Sequence, residues 1–392
     1  MFPLPTGYRY ATAYAGIRKD RRDDVAIIVS DSPASAAGVF TTNLVQAAPV
    51  VLAKAHLKAS RGKASAILVN AGNANCATRT GAKVALDSCK AVAKSLGIPV
   101  EQVLPASTGV IGVELDGSKI TGAAPGLVKA LGGDFESVAK AILTTDLVQK
   151  RAAARVQTKG GIVTLSGMTK GSGMIHPLMA TTLAFVMTDA RIPASDLKPM
   201  LRRATARSFN RLTVDGDTST NDCIFLLANG ATGSALTPNE KELFEEALTK
   251  LLEDLAMQIA RDGEGATKLV TIDVSGTRTE AEAEKIARSI SNSPLVKTAI
   301  YGNDANWGRI LAAAGYAGVK FDPAQAEITM QGVLVCRGGL AAKFHEEELK
   351  HLLNTPDIHI TFRLKGEGKG RARFFTCDFT EGYIKINASY RS

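Results

Sequence analysis

The chain has 392 residues, 45% of them hydrophobic and 22% charged, enough apolar material for one large core or two of ordinary size. Its formal net charge is +9, but the basic residues are dispersed and only 5% of positions are aromatic, which argues against a nucleic-acid-binding surface and equally suits the attraction of a small anionic substrate. Met1 to Asp24 lacks the apolar stretch and cleavage site of a secretory signal, no apolar run is long enough to span a bilayer, and Cys76, Cys89, Cys223, Cys336 and Cys377 form no CxxC pair, so a cytoplasmic protein with buried thiols and no metal is expected.

Strand-like runs at Val25–Ser30 and Ala66–Asn70 alternate with helical periodicity at Gly81–Leu96 and Phe135–Leu143, a pattern of mixed α/β layers. The stretch around Thr181 and its apolar continuation reads as a strand. Ser195 and Asp196 then cap a helix whose apolar face is Leu197, Met200, Leu201 and Ala204. The clearest helix runs from Pro238 to about Arg261: Thr237 caps it, Glu240 completes a capping box, and Gly263 ends it. Its stripe from Leu243 and Phe244 to Ile259 has helical spacing and belongs to the core. Leu269–Val274 reads as a strand and Glu280–Ile290 as a helix. Strands are then expected at Ile328–Cys336, Asp357–Leu364, Ala372–Phe379 and Tyr383–Asn387, around a helix at Ala342–Leu353. A soft boundary near Gly276 separates a catalytic α/β domain, 1–276, from a smaller C-terminal α+β domain, 277–392.

The most informative stretch is Lys170 to Ala190, where a glycine-hinged loop carrying one cation leads through Ala180-Thr181 into an apolar run. A threonine hydroxyl is a poor nucleophile, but an N-terminal threonine carries its own base, because a free α-amine titrates near ~8. Before cleavage the same hydroxyl can attack the Ala180 carbonyl, and the small side chain there permits the approach. Gly171 and Gly173 allow the tight bend such a junction needs. Read blandly, the same residues are an ordinary turn before a buried strand.

Other runs are candidates for the same site. Pro105–Gly112 follows a strand end, and its Thr108-Gly109 pair can offer an oxyanion its donors or simply turn the chain. Asn70–Cys76, dense in amides and small residues, can supply donors to a pocket or cap a turn. Ser208–Asp222 has the composition of a cation-binding loop without the spacing of an EF-hand. In Asp262–Lys268, Glu264 sits between glycines past a helix end, where it can receive an ammonium or merely belong to a helix cap. His176 is near enough to Thr181 to touch the site, whereas His56, His345, His351 and His359 show no ligand spacing.

Taken with Tyr301–Arg309 and the terminal Asn387–Ser392, these motifs occur in an order that resembles the ornithine acetyltransferase (glutamate N-acetyltransferase) family of arginine biosynthesis along essentially the whole chain. The resemblance implies an αββα-type self-processing fold shared with certain aminopeptidases, and autocatalytic cleavage into an α chain, 1–180, and a β chain, 181–392. It implies that Thr181 takes an acetyl group from N-acetylornithine and passes it to glutamate by a ping-pong route, with Thr108 and Gly109 as oxyanion hole. Thr144 or Thr145, Lys170, Thr181, Glu264, Asn387 and Ser392 would bind substrate. No cofactor is implied, acetyl-CoA remains open as a second acetyl donor, and two α and two β chains form a heterotetramer. The chain departs from the family's usual pattern at Leu178, Thr182 and Ala305, where Asn, Met and Pro are common. Two other readings remain: a self-processing aminopeptidase or amidase, which passes the acyl group to water, and a non-catalytic basic binding protein.

Overall fold

The computed structural model describes residues 2–176, 182–366 and 368–389. The chain opens with β1 (Tyr8–Ala13), β2 (Val25–Phe40), α1 (Ala48–Ala59), β3 (Lys63–Asn73), α2 (Gly81–Leu96), β4 (Val103–Val110), α3 (Gly117–Lys129) and α4 (Phe135–Ala141). The hairpin of β5 (Lys150–Thr158) and β6 (Gly161–Lys170) follows, then β7 (Leu183–Thr188), α5 (Ala194–Arg207), β8 (Cys223–Ala228) and α6 (Pro238–Arg261). These strands make one sheet in the order β4-β3-β2-β8-β7-β6-β5, with β1 beside β2.

The sheet doubles back on itself. In β2 the pairing breaks between Val29 and Ala34, a stretch that contains Pro33, which has no N–H to give to a ladder. The half before the break pairs with β1 and β3; in the half after it Ala34 and Ser35 still pair with β3, and Ser35 to Phe40 pair with β8. Between the two layers lies a core of Ala26, Ile28, Ile67, Val69 and Leu104 from one side and Leu183, Phe185, Met187, Phe225 and Leu227 from the other. Outside, α2 and α3 cover Val25, Ile27 and Leu68, while α5 and α6 cover Ala184, Val186, Ile224 and Leu226. The architecture is therefore an αββα sandwich. A single distance demonstrates the fold-back: β4 and β6 are five strands apart in the ladder, about 24 Å in a flat sheet. Yet Lys170 Nζ at the end of β6 lies 3.4 Å from Thr108 Oγ1 in β4.

Because both faces of β7 are buried, its sequence Leu-Ala-Phe-Val-Met is continuously apolar rather than alternating. In α6 the capping box forms as expected, Glu240 N–H donating to Thr237 Oγ1 at 3.4 Å and Thr237 N–H to Glu240 Oε2 at 2.8 Å. The helix after β7 instead starts at Ala194 on a Pro193 cap that makes no side-chain bond. Asp196 sits in its first turn and accepts from Lys241 Nζ at 2.6 Å.

The second unit comprises β9 (Leu269–Thr277), α7 (Glu280–Asn292), α8 (Pro294–Tyr301), α9 (Trp307–Gly315), β10 (Ala326–Met330), β11 (Val333–Arg337), β12 (Leu340–Ala341), α10 (Glu346–Leu353), β13 (Asp357–Leu364), β14 (Gly370–Cys377) and α11 (Glu381–Ser389). Its sheet has the order β12-β11-β10-β13-β9-β14 and is covered on one face by α7, α8, α9 and α10. The boundary expected near Gly276 falls at the end of β9, which runs between β13 and β14. The run Ile328–Cys336 is a hairpin rather than one strand, turning at Gln331 and Gly332, both with positive φ. The helix expected from Ala342 begins only at Glu346.

Tyr383–Asn387, expected as a strand, lies in helix α11. The alternation Tyr-Ile-Lys-Ile-Asn imitates a strand, but here the segment meets no sheet edge. It packs on the loop after α6, where Gly265 has φ +69 and any Cβ would collide with the backbone of Gly382 and Tyr383.

Among the described residues no helix is long and apolar enough to cross a membrane, and all five cysteines are free and buried. Thr237→Ala removes the hydroxyl that accepts the Glu240 N–H, leaving only the backbone half of the α6 capping box, and is expected to lower stability by about 1 kcal/mol in urea unfolding. An unchanged midpoint would show that this cap contributes nothing.

Candidate active site

The fold-back brings the ends of β4 and β6 together at one rim of the sandwich, and the loop after α6 closes the rim with α11. A cavity of about 180 Å³ opens there. Thr108, Gly109, Thr144, Thr145, Lys170, Glu264 and Asn387, seven residues from five separate segments, all line it. Ala180, Thr181 and Ser392 lie outside the described residues.

Gly109 follows Thr108, the last buried residue of β4, with φ +131, and a Cβ there would run into the backbone of Gly72 and Asn73 on β3. Only glycine permits that approach. The Asn70–Cys76 run does not line the cavity. Instead Asn70 accepts from Ser107 Oγ at 2.5 Å and donates to Asn73 O at 2.9 Å, while Asn73 Oδ1 takes Asn75 N–H at 2.7 Å. Its amides brace the strand that carries Thr108. From the other layer, Asn221 Nδ2 donates to Ser107 O at 2.8 Å and Ala74 O at 2.7 Å.

The charge at the base of the cavity is a buried cluster. Asp146 Oδ1 accepts from Lys150 Nζ at 2.6 Å and Gly171 N–H at 2.7 Å, and its Oδ2 lies 4.0 Å from Lys170 Nζ. Lys150, fully buried, also donates to Asp262 Oδ2 at 2.5 Å. Burial pushes the Asp146 carboxyl up, but Lys170, Lys150 and the Gly171 N–H outweigh it and hold the group at about 2. Burial lowers the Lys170 ammonium below its ordinary value, and Asp146 offsets part of that fall. The nearest partners of Lys170 Nζ are thus a hydroxyl at 3.4 Å and one carboxylate at the limit of contact.

On the opposite wall, Glu264 accepts from Asn387 Nδ2 at 2.8 Å. Its carboxylate lies against the Cα of Gly173, where any larger residue would displace it. The glycines on either side of Ser172 therefore serve different ends, one offering its N–H to Asp146 and the other making room for Glu264. Asp215 receives the N–H groups of Met174 at 2.6 Å and Ile175 at 2.8 Å, and Tyr383 donates to it at 3.2 Å. Burial raises the Asp215 carboxyl, and it raises the Tyr383 phenol, to which Asp215 adds.

Beside the cavity, β7 begins directly across from Lys170, which pairs with Leu183. Thr182, the residue after Thr181, donates its N–H to Asp222 Oδ1 at 3.0 Å, and its carbonyl accepts from Cys223 N–H at 3.1 Å. Asp222 is fully buried, and burial raises its carboxyl well above the usual range. The polar loop Ser208–Asp222 thus spends Asp215 and Asp222 on backbone donors, while Asp217 lines the cavity, and no cluster of three metal-ligand side chains forms among the described residues. His176 is half-buried near Gly216 and does not line the cavity.

Sequence reasoning passed over Asp146, Lys150, Asn221 and Tyr383. The first two had a signal in the Asp-x-x-x-Lys spacing after Thr144-Thr145; the others acquire meaning only from their partners across the cavity.

The sequence matches the ArgJ family over residues 9–392. It is 46% identical over 398 residues to the arginine biosynthesis bifunctional protein ArgJ of Nitratidesulfovibrio vulgaris, covering 100% of both chains. To the protein of the same name in Desulfotalea psychrophila it is 47% identical, over 98% of this chain and 99% of that one. Among solved structures, that of the arginine biosynthesis bifunctional protein from Bacillus halodurans is 43% identical and superposes with a TM-score of 0.51, covering 53% of this chain and 98% of its own. The chain belongs to the ArgJ family.

Proposed function

We propose that this protein is an acetyltransferase of arginine biosynthesis that carries the acetyl group of N-acetylornithine to glutamate on Thr181, after cutting itself between Ala180 and Thr181. One observation carries the reading: a single cavity gathers Thr108-Gly109, Lys170, Glu264 and Asn387 at the head of the strand that continues from Thr181.

In the first half-reaction the Thr181 hydroxyl attacks the acetyl carbonyl and its proton passes to the α-amine freed by cleavage. The amide C–N bond breaks, and the departing ornithine amine takes that proton. The amine of glutamate then attacks the ester carbonyl, the ester C–O bond breaks, and the hydroxyl recovers its proton. Thr108 and the Gly109 N–H stabilise the oxyanion in both steps. Lys170 receives the substrate α-carboxylate, Glu264 the side-chain ammonium, and Thr144 or Thr145, Asn387 and Ser392 complete the contacts.

The two fragments are expected to stay together, since β6 and β2 of one form the ladder with β7 and β8 of the other. Pairing of two such αβ units into a cytoplasmic α2β2 enzyme belongs to the same proposal. So does acetyl-CoA as a second donor, which the word bifunctional in the relatives' names supports.

Freshly purified protein should run as two bands of similar size on a denaturing gel, and Thr181→Ala as one band without transfer activity. An active, uncut T181A protein would end the proposal. Fragment mass settles which of Thr181 and Thr182 leads the second chain.

Incubation with N-acetylornithine should yield acetylglutamate only when glutamate is present. Acetate released equally fast without glutamate, and no acetylglutamate, would point to the hydrolase instead.

Asp146→Asn removes the carboxylate that opposes the lowering of Lys170 by burial. The ammonium then loses its proton at lower pH, so the alkaline limb of kcat/KM for N-acetylornithine should move to lower pH. A limb that stays in place would remove Lys170's charge from substrate binding.

A further inference from the structure

A cleft of about 1060 Å³ lies away from the active site, against the face of the second sheet opposite its helices and beside Arg207 and Glu253 of the first unit. We propose that it is a binding site for a small ligand carrying two or more adjacent phosphates.

The argument starts from strand register. Arg363 on β13 and Arg371 on β14 both pair with Ser275 on β9, so the three side chains form a row across the sheet. The neighbours Phe362, Val274 and Ala372 point into the core, which leaves the row on the open face. Two strand spacings separate the arginine backbones, roughly 10 Å, and each guanidinium can lean inward over the Ser275 hydroxyl. Along the strands, the next row has Asp273 at its centre, and that carboxylate is already consumed. Arg373 holds it with two bonds of 2.8 Å, and His359 adds a third at 2.7 Å.

Of the other described acids nearby, all but Glu253 are similarly engaged. Glu327, beside Arg363 on β10, is taken by Lys365 at 2.9 Å and Arg337 at 3.6 Å. Glu280 and Glu284 bind Arg211, and Glu282 binds Arg278. Among the described residues, Arg207, Arg363, Lys369 and Arg371 line the cleft without an ion pair, and Glu253, the remaining acid of the lining, acts on Arg373 without closing an ion pair. Cations held this close repel one another, and an anion with several charges relieves that repulsion while accepting bidentate bonds from two guanidinium forks. A monoanion would satisfy only one fork. The loop beside Lys369 is built to hug the sheet: a Cβ at Gly368 or Gly370 would collide with the backbone of Thr277 or Thr279.

The test is calorimetric titration of the cleaved full-length protein with inorganic triphosphate, ADP and inorganic phosphate, set against the double variant Arg363→Ser, Arg371→Ser. Both side chains are exposed, and circular dichroism together with unaltered acetyl transfer would confirm that the variant is folded. Triphosphate should bind the parent protein more tightly than monophosphate, weaken as salt is raised, and lose at least about tenfold in affinity in the variant. ADP binding more tightly than triphosphate would identify the source as a nucleotide, and the reverse order a free polyphosphate. A parent protein that ignores both polyphosphates, even if it retains an oligonucleotide, overturns the proposal. So does equal binding by the parent and the double variant.

Discussion

The site exists because the main sheet folds over at the interruption in β2. Were the ladder flat, Thr108 and Lys170 would be separated by five strands, far beyond the reach of a lysine side chain. Doubling the sheet places the ends of β4 and β6 on opposite walls of one narrow opening, and the apolar core between the layers holds them there. Strand ends are suited to this, since each can present one side chain to the rim while its neighbours remain buried. Asn221 reinforces the arrangement by reaching from the layer of β8 to the carbonyl of Ser107 beneath Thr108.

Within that frame the electrostatics are deliberately unequal. Lys150 is enclosed between Asp146 and Asp262 and has no surface from which to meet a ligand. Lys170 sits at the edge of the same cluster with Asp146 at the limit of contact and Glu264 and Asp222 farther off, so its desolvation is only partly compensated. A buried ion in that condition gains most from an incoming anion, because the cost of stripping its water was met when the chain folded. Asp146 mediates between the two lysines, and its low pKa keeps it charged throughout the working range.

The second unit contributes more than bulk. Its last helix carries Tyr383 and Asn387 one turn apart, and both reach the cavity wall, the first on Asp215 and the second on Glu264. Its sheet turns a polar face away from its helices, where Asp273 is held by Arg373 and His359 while Arg363 and Arg371 make no ion pair among the described residues. The dispersed positive charge of the sequence thus acquires a local meaning through strand register.

Much was legible in the chain itself. Periodicity and end signals located α2, α6 and α7, since capping boxes and 3.6-residue stripes are local interactions that do not depend on distant partners. The motif order revealed the family, and the residues it implied were those that line the cavity wherever they are described. Tertiary structure alone decided that Tyr383–Asn387 would be helix, because its alternation suits a strand only where a free sheet edge exists. It alone assigned Asn70–Cys76 to bracing and Asp215 and Asp222 to backbone donors, since such side chains take whichever partner the fold supplies. Residue types and local order are written along the chain, whereas the meeting of Thr108 with Lys170 across the folded sheet, and of Asn387 with Glu264 at the rim, depends on contacts between segments far apart in sequence.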